Sequence, residues 1–402
     1  MILLLHFAHL PHLHVAWHAL HYLISLAVLV VWVAGMLLLV RGRHAYRSIV
    51  QIPLSGAPDM ALPSLSILVP ACNEAATIGP AMRSLLALDY LNLEIIAVDD
   101  RSSDGTGEIL DCIAAQDSRL SVIHVTSLPD GWLGKSHALQ LAGEAAGGEW
   151  LLLTDADVVF QPRSVRRAVE YSVARQIDHL VLAPRCETHG FWEKLFISYF
   201  GLMFSFRIRP WDVADPRKRA YVGLGAFNLV RASAYRAFGG HRALPMEVAD
   251  DTKLGKVVKR AGFRQEILDG SEALSVRWVV GLRGAVAGLE KNAFAGFDFK
   301  LPNLLAAVAA LAVTGTYPVI GLLTPGPQTR AMAAASLLLM MWGAGVMRRV
   351  SGGSFWYGLA FPLGSIVFVY IILRSVWRAY RLNGVHWRGT HYPLEQLRRG
   401  VV

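Results

Sequence analysis

The sequence predicts an α/β protein with a Rossmann-like sheet, flanked by apolar segments at both ends of the chain. Between residues 65 and 154, short apolar runs alternate with stretches of helical periodicity, which is typical of a parallel sheet with crossover helices. Acidic residues follow several of these runs, and the carboxyl ends of parallel strands form the edge where ligands bind. Residues 17–40 are almost wholly apolar and long enough to span a bilayer.

The composition indicates a membrane-associated protein. The 402 residues are 54% hydrophobic and only 17% charged, which is apolar for a soluble protein. The net charge of +9 is uneven: residues 301–402 carry nine arginines and one acid, whereas residues 61–300 carry 27 basic and 28 acidic residues. A basic excess beside apolar segments suits anionic lipid headgroups and argues against a nucleic-acid partner. Three widely spaced cysteines predict neither a disulfide framework nor a zinc site, and they indicate a reducing cytosolic setting.

The first 50 residues are interpreted as a membrane anchor. The apolar stretch is too long for a cleaved signal peptide, and arginines follow it at once. The positive-inside rule then places the amino terminus outside the cell and the next domain in the cytoplasm. Four histidines in the first sixteen residues suit a membrane interface better than a metal site, and residues 51–64, rich in proline and glycine, suit a linker.

A globular domain is predicted over residues 65–273. Its strands are expected at 66–70, 93–98, 121–125 and 150–154. Its clearest helices are expected at 77–88, 104–115, 135–146 and 251–261. We expect Ser103 or Asp104 to cap the second helix.

The rest of the chain has the character of a membrane surface and of membrane spans. Residues 190–210 and 274–300 suit helices lying at the interface, the second of them amphipathic. Within 301–375 lie three apolar segments, at 302–323, 331–347 and 355–373. The first two predict a hairpin that returns to the cytoplasm.

The third segment leaves two alternatives. A full crossing would place the basic tail, residues 376–402, outside the cell, against the charge rule. Pro362 and Gly364 interrupt the segment, which also permits a re-entrant or kinked path.

Asp155 and Asp157 follow the fourth predicted strand. Being two residues apart in an extended segment, they point to the same side. Two hard oxygen ligands at this edge suit Mg²⁺ or Mn²⁺ held jointly by protein and substrate phosphates. A solvated turn would give the same pattern.

Other polar groups are expected at the same edge. Glu74 follows the first strand and suits contact with a ribose or base, although its neighbourhood also suits a helix cap. Asp99 and Asp100 end the second strand, where a carboxylate accepts hydrogen bonds from an imide or a ribose hydroxyl. Lys135 closes a glycine-bearing loop ahead of a helix, which suits a phosphate.

Asp250 and Asp251 open the last clear helix of the domain. The helix dipole favours acids in a first turn without any functional role. The alternative is a general base that takes the proton of an attacking hydroxyl.

Five motifs, taken together and in order, resemble a known family. They are P-A-C-N-E, V-D-D-x-S-x-D-G-T, G-K-S-H-A-L, T-D-A-D and A-D-D-T-K-L-G. Over about residues 65–270 the chain resembles the family 2 glycosyltransferases with the GT-A fold. The run at 128–135, the anchor, the carboxy-terminal spans and the run at 385–392 are similar to the membrane-bound branch acting in hopanoid and carotenoid glycosylation.

The resemblance implies a nucleotide-sugar-binding domain with a UDP- or GDP-sugar donor and Mg²⁺ or Mn²⁺. The residues that it implies for the nucleoside are Glu74, Asp99 and Asp100. It places Lys135 near the diphosphate, Asp155 near the ribose or metal, and Asp157 on the metal.

The resemblance also implies that Asp251 is the catalytic base and that residues 225–231 shape the acceptor side. The family has Glu-Asp where this chain has Asp250-Asp251, so Asp250 remains an alternative base. The Q-x-x-R-W motif of processive polysaccharide synthases is missing, although Arg277-Trp278 lies near its expected place.

The expected function is therefore metal-dependent, inverting, non-processive sugar transfer to a hydroxyl, with a membrane lipid as acceptor. The expected location is the cell membrane, multi-pass, with the catalytic domain facing the cytoplasm. Two alternatives remain open. One is a processive polysaccharide synthase. The other is a transporter or scaffold that only binds nucleotide, in which Asp251 is a helix-stabilising acid and Asp157 a turn residue.

Overall fold

The computed structural model describes residues 11–42, 47–53 and 62–402. The predicted histidine cluster and most of the predicted linker lie outside the side chains that it describes. Twelve strands occur in the described residues: β1 Leu65–Ala71, β2 Leu93–Asp100, β3 Leu120–Val125, β4 Trp150–Leu153, β5 Val158–Phe160, β6 His179–Ala183, β7 Arg185–Cys186, β8 Asn228–Arg231, β9 Gln265–Asp269, β10 Leu274–Val276, β11 Gly384–Trp387 and β12 Thr390–Pro393.

The α-helices connect these strands and extend the chain beyond them. In the described residues they are α1 Pro11–Arg41, α2 Ile78–Leu86, α3 Thr106–Ala114, α4 Gly134–Ala145, α5 Ser164–Arg175, α6 Gly190–Ile208, α7 Ala232–Ala237, α8 Asp250–Arg260, α9 Gly281–Ala295, α10 Leu301–Leu323, α11 Pro327–Val346, α12 Arg348–Ser351, α13 Phe361–Arg381 and α14 Leu394–Arg399.

The main sheet has seven strands in the order β3-β2-β1-β4-β8-β6-β9. Its pairs are parallel except at β8, which runs antiparallel to both β4 and β6. The sheet is therefore mixed. The sequence predicted a wholly parallel sheet and missed the antiparallel strand β8. A second sheet has the order β5-β10-β7, and β11 and β12 form a hairpin.

Helices cover both faces of the main sheet. Ile67 and Val69 face one core with α2, α3 and α5, whereas Leu68 faces a second core with α4 and α8. Burial on both faces explains why the central strands read as continuous apolar runs. The predicted site acids Asp100, Asp155 and Asp157 lie at or just beyond the carboxyl ends of β2 and β4.

Among the residues that the structure describes, four helical segments are long and apolar enough to cross a membrane: Val15–Arg41, Leu301–Leu323, Pro327–Val346 and Phe355–Arg381. The first of them and α10 are tied together by polar groups. Trp32 Nε1 donates to the carbonyl of Thr314 at 3.0 Å, and His21 Nδ1 lies 2.7 Å from Tyr317 Oη. The predicted anchor and apolar segments thus correspond to helices.

Segment 355–381 starts and ends beside the α/β domain. Just before it, the hydroxyl of Thr188, which follows β7, donates to the carbonyl of Ser351 at 2.7 Å. Within it, Gly358 packs against the backbone of Met341 in α11, and Ser365 Oγ donates to the carbonyl of Leu311 in α10 at 2.8 Å. After it, the β11–β12 hairpin packs against the domain. This path favours the re-entrant alternative for the third segment.

Two local predictions were wrong. Residues 274–300 do not form one helix, because Leu274–Val276 pairs as β10 and helix α9 begins only at Gly281. Asp104 precedes the cap position of α3, which is Gly105 in the left-handed region. Asp104 nonetheless accepts from the Thr106 amide at 3.1 Å and from the Ala75 amide at 3.0 Å, so it fastens the loops after β1 and β2 together.

Candidate active site

A cavity of about 1390 Å³ opens where β1, β2 and β4 end. Of the residues predicted for the site, only Asp99 lies outside its lining. The others come from five separate stretches of the chain and face one space: Glu74, Asp100, Lys135, Asp155, Asp157, Asp250 and Asp251.

Lys135 connects the two groups of acids. Its Nζ lies 2.6 Å from Asp155 Oδ1 and 3.8 Å from Asp250 Oδ2. Burial acts to lower the pKa of Lys135, but the attraction of Asp155, Asp250 and Asp251 outweighs it and the pKa is raised. The ammonium group is therefore charged, and it lies at the start of α4, where backbone amides also favour an anion.

Asp157 lies deeper in the cleft than its partner. Burial, followed by repulsion from Asp155 and Glu74, raises the pKa of Asp157 to about 7. In the described residues, no group of three or more His, Cys, Asp and Glu side chains has the spacing of a metal site. The carboxylates of Asp155 and Asp157 offer two hard oxygen ligands, which fits Mg²⁺ or Mn²⁺ because substrate phosphates complete the coordination of such ions.

Asp251 is held by backbone amides. Its Oδ2 accepts from Gly225 at 2.8 Å and its Oδ1 accepts from Thr252 at 2.7 Å. The neighbouring Asp250 is buried, lies 3.9 Å from His241 Nε2, and has its pKa raised by burial and by Asp251. Asp251 is the more accessible carboxylate of the pair.

Asp99 points away from the cleft, because side chains alternate along β2. Its Oδ2 lies 3.1 Å from His124 Nδ1, and the other ring nitrogen of His124 lies 3.0 Å from Asp111. Asp100 faces the cleft and accepts two hydrogen bonds from Arg101, at 2.7 and 2.9 Å. Asp99 does not line the cavity. Its role towards the nucleoside therefore remains a prediction that no contact supports.

The β11–β12 hairpin forms one wall of the cavity, and the sequence did not place it there. Arg388 forms an ion pair with Glu74, and Thr390 Oγ1 lies 3.4 Å from Arg101 Nη1. The amide of Gly134 donates to Tyr392 Oη at 3.4 Å. The run Trp-Arg-Gly-Thr-His-Tyr is distinctive in the sequence, but nothing local connects it with residues about 300 positions earlier.

The other end of the cavity is apolar. It extends away from the carboxylates between helices that lead to the apolar segments. Its lining there includes Phe200 and Phe204 of α6, Ala310 and Leu311 of α10, and Phe368 and Ile372 of α13. One continuous space thus has an acidic end and an apolar end.

Comparison with known proteins agrees with this geometry. Residues 66–216 match the model of the family described as glycosyl transferase family 2. A 4,4'-diaponeurosporenoate glycosyltransferase of Staphylococcus aureus (strain bovine RF122 / ET3-1) is 23% identical over 342 residues, 83% of this chain and 89% of that protein. A protein of the same description from Staphylococcus haemolyticus (strain JCSC1435) is 25% identical over 247 residues, 60% of this chain and 64% of the relative.

The fold is similar to that of a solved structure, the mannosyltransferase PcManGT from Pyrobaculum calidifontis in complex with GDP-Man and Mn²⁺. The TM-score is 0.51 at 16% identity, covering 90% of this chain and 99% of that chain. The family resemblance drawn from the motifs and the expected GT-A-like fold are both confirmed.

Proposed function

Because this chain carries a glycosyl transferase family 2 domain in a GT-A-like fold, we propose that it is a membrane-bound, metal-dependent, inverting glycosyltransferase. It moves one sugar from a UDP- or GDP-sugar to the hydroxyl of an isoprenoid-like membrane lipid. The name of the staphylococcal relative gives 4,4'-diaponeurosporenoate as its substrate, which supports a lipid acceptor, whereas the hydroxyl as the reacting group is our own proposal. The bound GDP-Man and Mn²⁺ of PcManGT support the donor class and the metal.

The observation that carries the lipid acceptor is the shape of the cavity. Its acidic end suits the donor diphosphate, and its apolar end continues between α6, α10 and α13. A soluble, polar acceptor would gain nothing from the aromatic lining at Phe200, Phe204 and Phe368. A lipid that enters from the bilayer would bury its chain against these side chains and present its hydroxyl to Asp251.

The chemistry is one displacement. The acceptor hydroxyl oxygen forms a bond to the anomeric carbon, the bond from that carbon to the diphosphate oxygen breaks, and its electron pair leaves with the nucleoside diphosphate. Asp251 takes the hydroxyl proton, and the amides of Gly225 and Thr252 fix the position of its carboxylate. Attack from the opposite face inverts the configuration.

The diphosphate end is stabilised by positive charge. Asp157 and Asp155 would hold Mg²⁺ or Mn²⁺, which would supply positive charge beside the diphosphate. Lys135 and the first amides of α4 bind the diphosphate from the other side. Glu74 and Asp100 are proposed for the nucleoside, and the loop at 225–231 for the acceptor side.

The path of the chain supports the cytoplasmic orientation. With α1, α10 and α11 crossing the bilayer and 355–381 re-entering it, the arginines of the tail lie on the same side as the domain and as Arg41. This arrangement satisfies the positive-inside rule, which a full crossing of 355–381 would violate.

The processive alternative gains no support from Arg277-Trp278. Arg277 is held by Glu193 at 3.3 Å and does not line the cavity, whereas Trp278 packs against Phe200 at the apolar end. Non-processive transfer therefore remains our proposal.

The test incubates membranes containing the full chain with radiolabelled UDP- and GDP-sugars, followed by lipid extraction. For the wild type we expect one labelled lipid product that carries a single sugar. Asp251→Ala should give no labelled lipid, although it should still bind the nucleotide. Label confined to a water-soluble product would overturn the lipid acceptor. Nucleotide binding without any turnover of the donor would favour the transporter or scaffold alternative.

A further inference from the structure

The β11–β12 hairpin contacts two of the groups proposed for the donor, Glu74 and the first amide of α4. Arg388 pairs with Glu74, and its Nη1 also donates to the carbonyl of Asn73 at 3.3 Å. Tyr392 Oη accepts the amide of Gly134, the first residue of α4. The hydroxyl therefore occupies a place at the helix start where a phosphate oxygen would accept the same hydrogen bond.

A second cation approaches the same place from α9. Lys291 lines the cavity, and its Nζ lies 3.9 Å from the centre of the Trp387 ring. In the described part of the chain it makes no ion pair with a carboxylate. The side chain is held by an aromatic face of the hairpin and directed towards the space that Lys135 and Arg388 also face.

Three cations thus surround one space. Burial lowers the pKa of Lys291 to about 8, and repulsion from Lys135 and Arg388 contributes in the same direction. Cations gathered in a partly buried cleft repel one another unless an anion joins them. Asp155 and Asp250 attract Lys291 from a distance and act to raise its pKa, but neither comes close enough to form an ion pair with it.

We propose that Lys291 and Arg388, which lie outside the matched family domain, complete the binding site for the donor's diphosphate together with Lys135. The proposal rests on the proposed function, because it assigns the anion to the nucleotide sugar. Arg388 exchanges Glu74 for a phosphate oxygen when the donor binds, and its planar guanidinium suits a bidentate contact. The hairpin and α9 are thereby elements of the donor site and not only a structural tail.

A phosphate could also arrive on a lipid acceptor, and the experiment separates the two sources. Binding of UDP and GDP is measured with Mn²⁺ by calorimetry on the detergent-solubilised full chain, without acceptor. We expect Lys291→Met and Arg388→Gln each to weaken the preferred nucleotide about tenfold to hundredfold, as loss of a charge-assisted hydrogen bond would. Lys291→Arg should recover most of the lost affinity.

Two matched controls remove a similar charge outside the cavity. Lys300 lies exposed at the start of α10, and Arg399 forms an exposed ion pair with Glu395 in α14. Lys300→Met and Arg399→Gln should bind nucleotide as the wild type does. Thermal unfolding of each variant separates a local effect from misfolding, and Arg388→Gln decides the question if Lys291→Met does not fold.

Unchanged nucleotide affinity in folded Lys291→Met and Arg388→Gln would overturn the proposal. If these variants keep nucleotide affinity but need more of a phosphate-bearing lipid for half-maximal transfer, the cations serve the acceptor and the donor assignment is wrong. Failure of the wild type to bind either nucleotide would instead count against the proposed function itself.

Discussion

Asp155 and Asp251 are joined by a single residue, Gly225. The amide of Asp155 donates to the Gly225 carbonyl at 2.9 Å, and the Gly225 amide donates to the Asp251 carboxylate at 2.8 Å. The loop before β8 therefore sets the distance between the proposed metal side and the proposed base. A displacement of Gly225 would move both carboxylates together.

Gly225→Ala should abolish most transfer while the protein still folds. A Cβ at this position would collide with the Asp155 carboxylate, and a misplacement of about 1 Å can cost on the order of a hundredfold in rate. The measurement is initial transfer rate with thermal unfolding of the same sample. Gly147→Ala is the matched control, since a Cβ there lies 3.6 Å from Glu94 in ordinary contact. A fully active Gly225→Ala enzyme would contradict the shared positioning of the two acids.

Asp250 and Asp251 should differ in which kinetic constant they control. Asp251→Asn removes the proposed base and should lower kcat by about 10²–10⁴. Asp250→Asn removes a buried partner of Lys135 and should act mainly by raising KM for the donor. Steady-state kinetics on both variants decide the assignment. A collapse of kcat in Asp250→Asn, with Asp251→Asn nearly normal, would exchange the two roles.

Removal of divalent cations should stop transfer. Chelation with EDTA is expected to abolish product formation, and Mn²⁺ or Mg²⁺ should restore it because the departing diphosphate needs compensating charge. Asp157→Asn should raise the metal concentration needed for half-maximal rate. Activity that persists after exhaustive chelation would exclude the proposed role of the acidic pair.

Acidification should destabilise the sheet through His179. This histidine is buried between Asn228 and Gln265, at 3.1 and 2.7 Å, and burial lowers its pKa from 6.5 to about 4. Between these values the unfolded chain binds a proton that the folded chain does not, so stability falls as pH drops from 7 to 5. The expected contribution is about 2 kcal/mol.

Thermal unfolding at pH 7 and 5 measures this effect in the wild type and in His179→Gln. The variant should be less sensitive to acid, whatever its stability at pH 7. His189→Gln, at an exposed position, should lose as much stability between pH 7 and pH 5 as the wild type does. If all three proteins lose the same stability between pH 7 and pH 5, His179 is not the source of the acid sensitivity.

The proposed re-entrant path of 355–381 predicts a specific pattern of cysteine labelling. In a background without Cys72, Cys112 and Cys186, single cysteines at the exposed positions Ser354, Gln396 and Gln328 are tested in intact cells with a membrane-impermeant thiol reagent. Ser354→Cys and Gln396→Cys should be protected until the cells are opened, and Gln328→Cys should label at once. If Ser354→Cys is protected in intact cells but Gln396→Cys is labelled, segment 355–381 crosses the membrane completely.

The strands and helices between residues 65 and 154 could be predicted to within about two residues because local pattern determines them. The central strands are mostly buried on both faces, and their apolar runs give way to polar residues at the carboxyl end. The acids of the site follow from the same rule, since Asp100 ends β2 and Glu74 and Asp155 lie in the loops just after β1 and β4. Periodicity therefore indicated both the fold and most of the candidate site.

Features set by long-range pairing escaped the sequence pattern. The direction of β8 depends on its two neighbours, and the three residues of β10 are too few to show a period. In the sequence, Lys291 resembles an ordinary lysine of an interfacial helix. Its position in the cavity becomes evident only from its contact with Trp387 of the hairpin. The contact of Arg388 with Asn73 joins residues 315 positions apart.

The position of the hairpin in the chain has a consequence for biosynthesis. Residues 384–393 follow every apolar helix, yet they enclose the cleft that begins at Glu74. During translation the sheet can form early, but its pocket gains this wall only after the membrane segments have been inserted. A nonsense mutation at Asn383 would therefore leave a folded sheet with an open, inactive cleft.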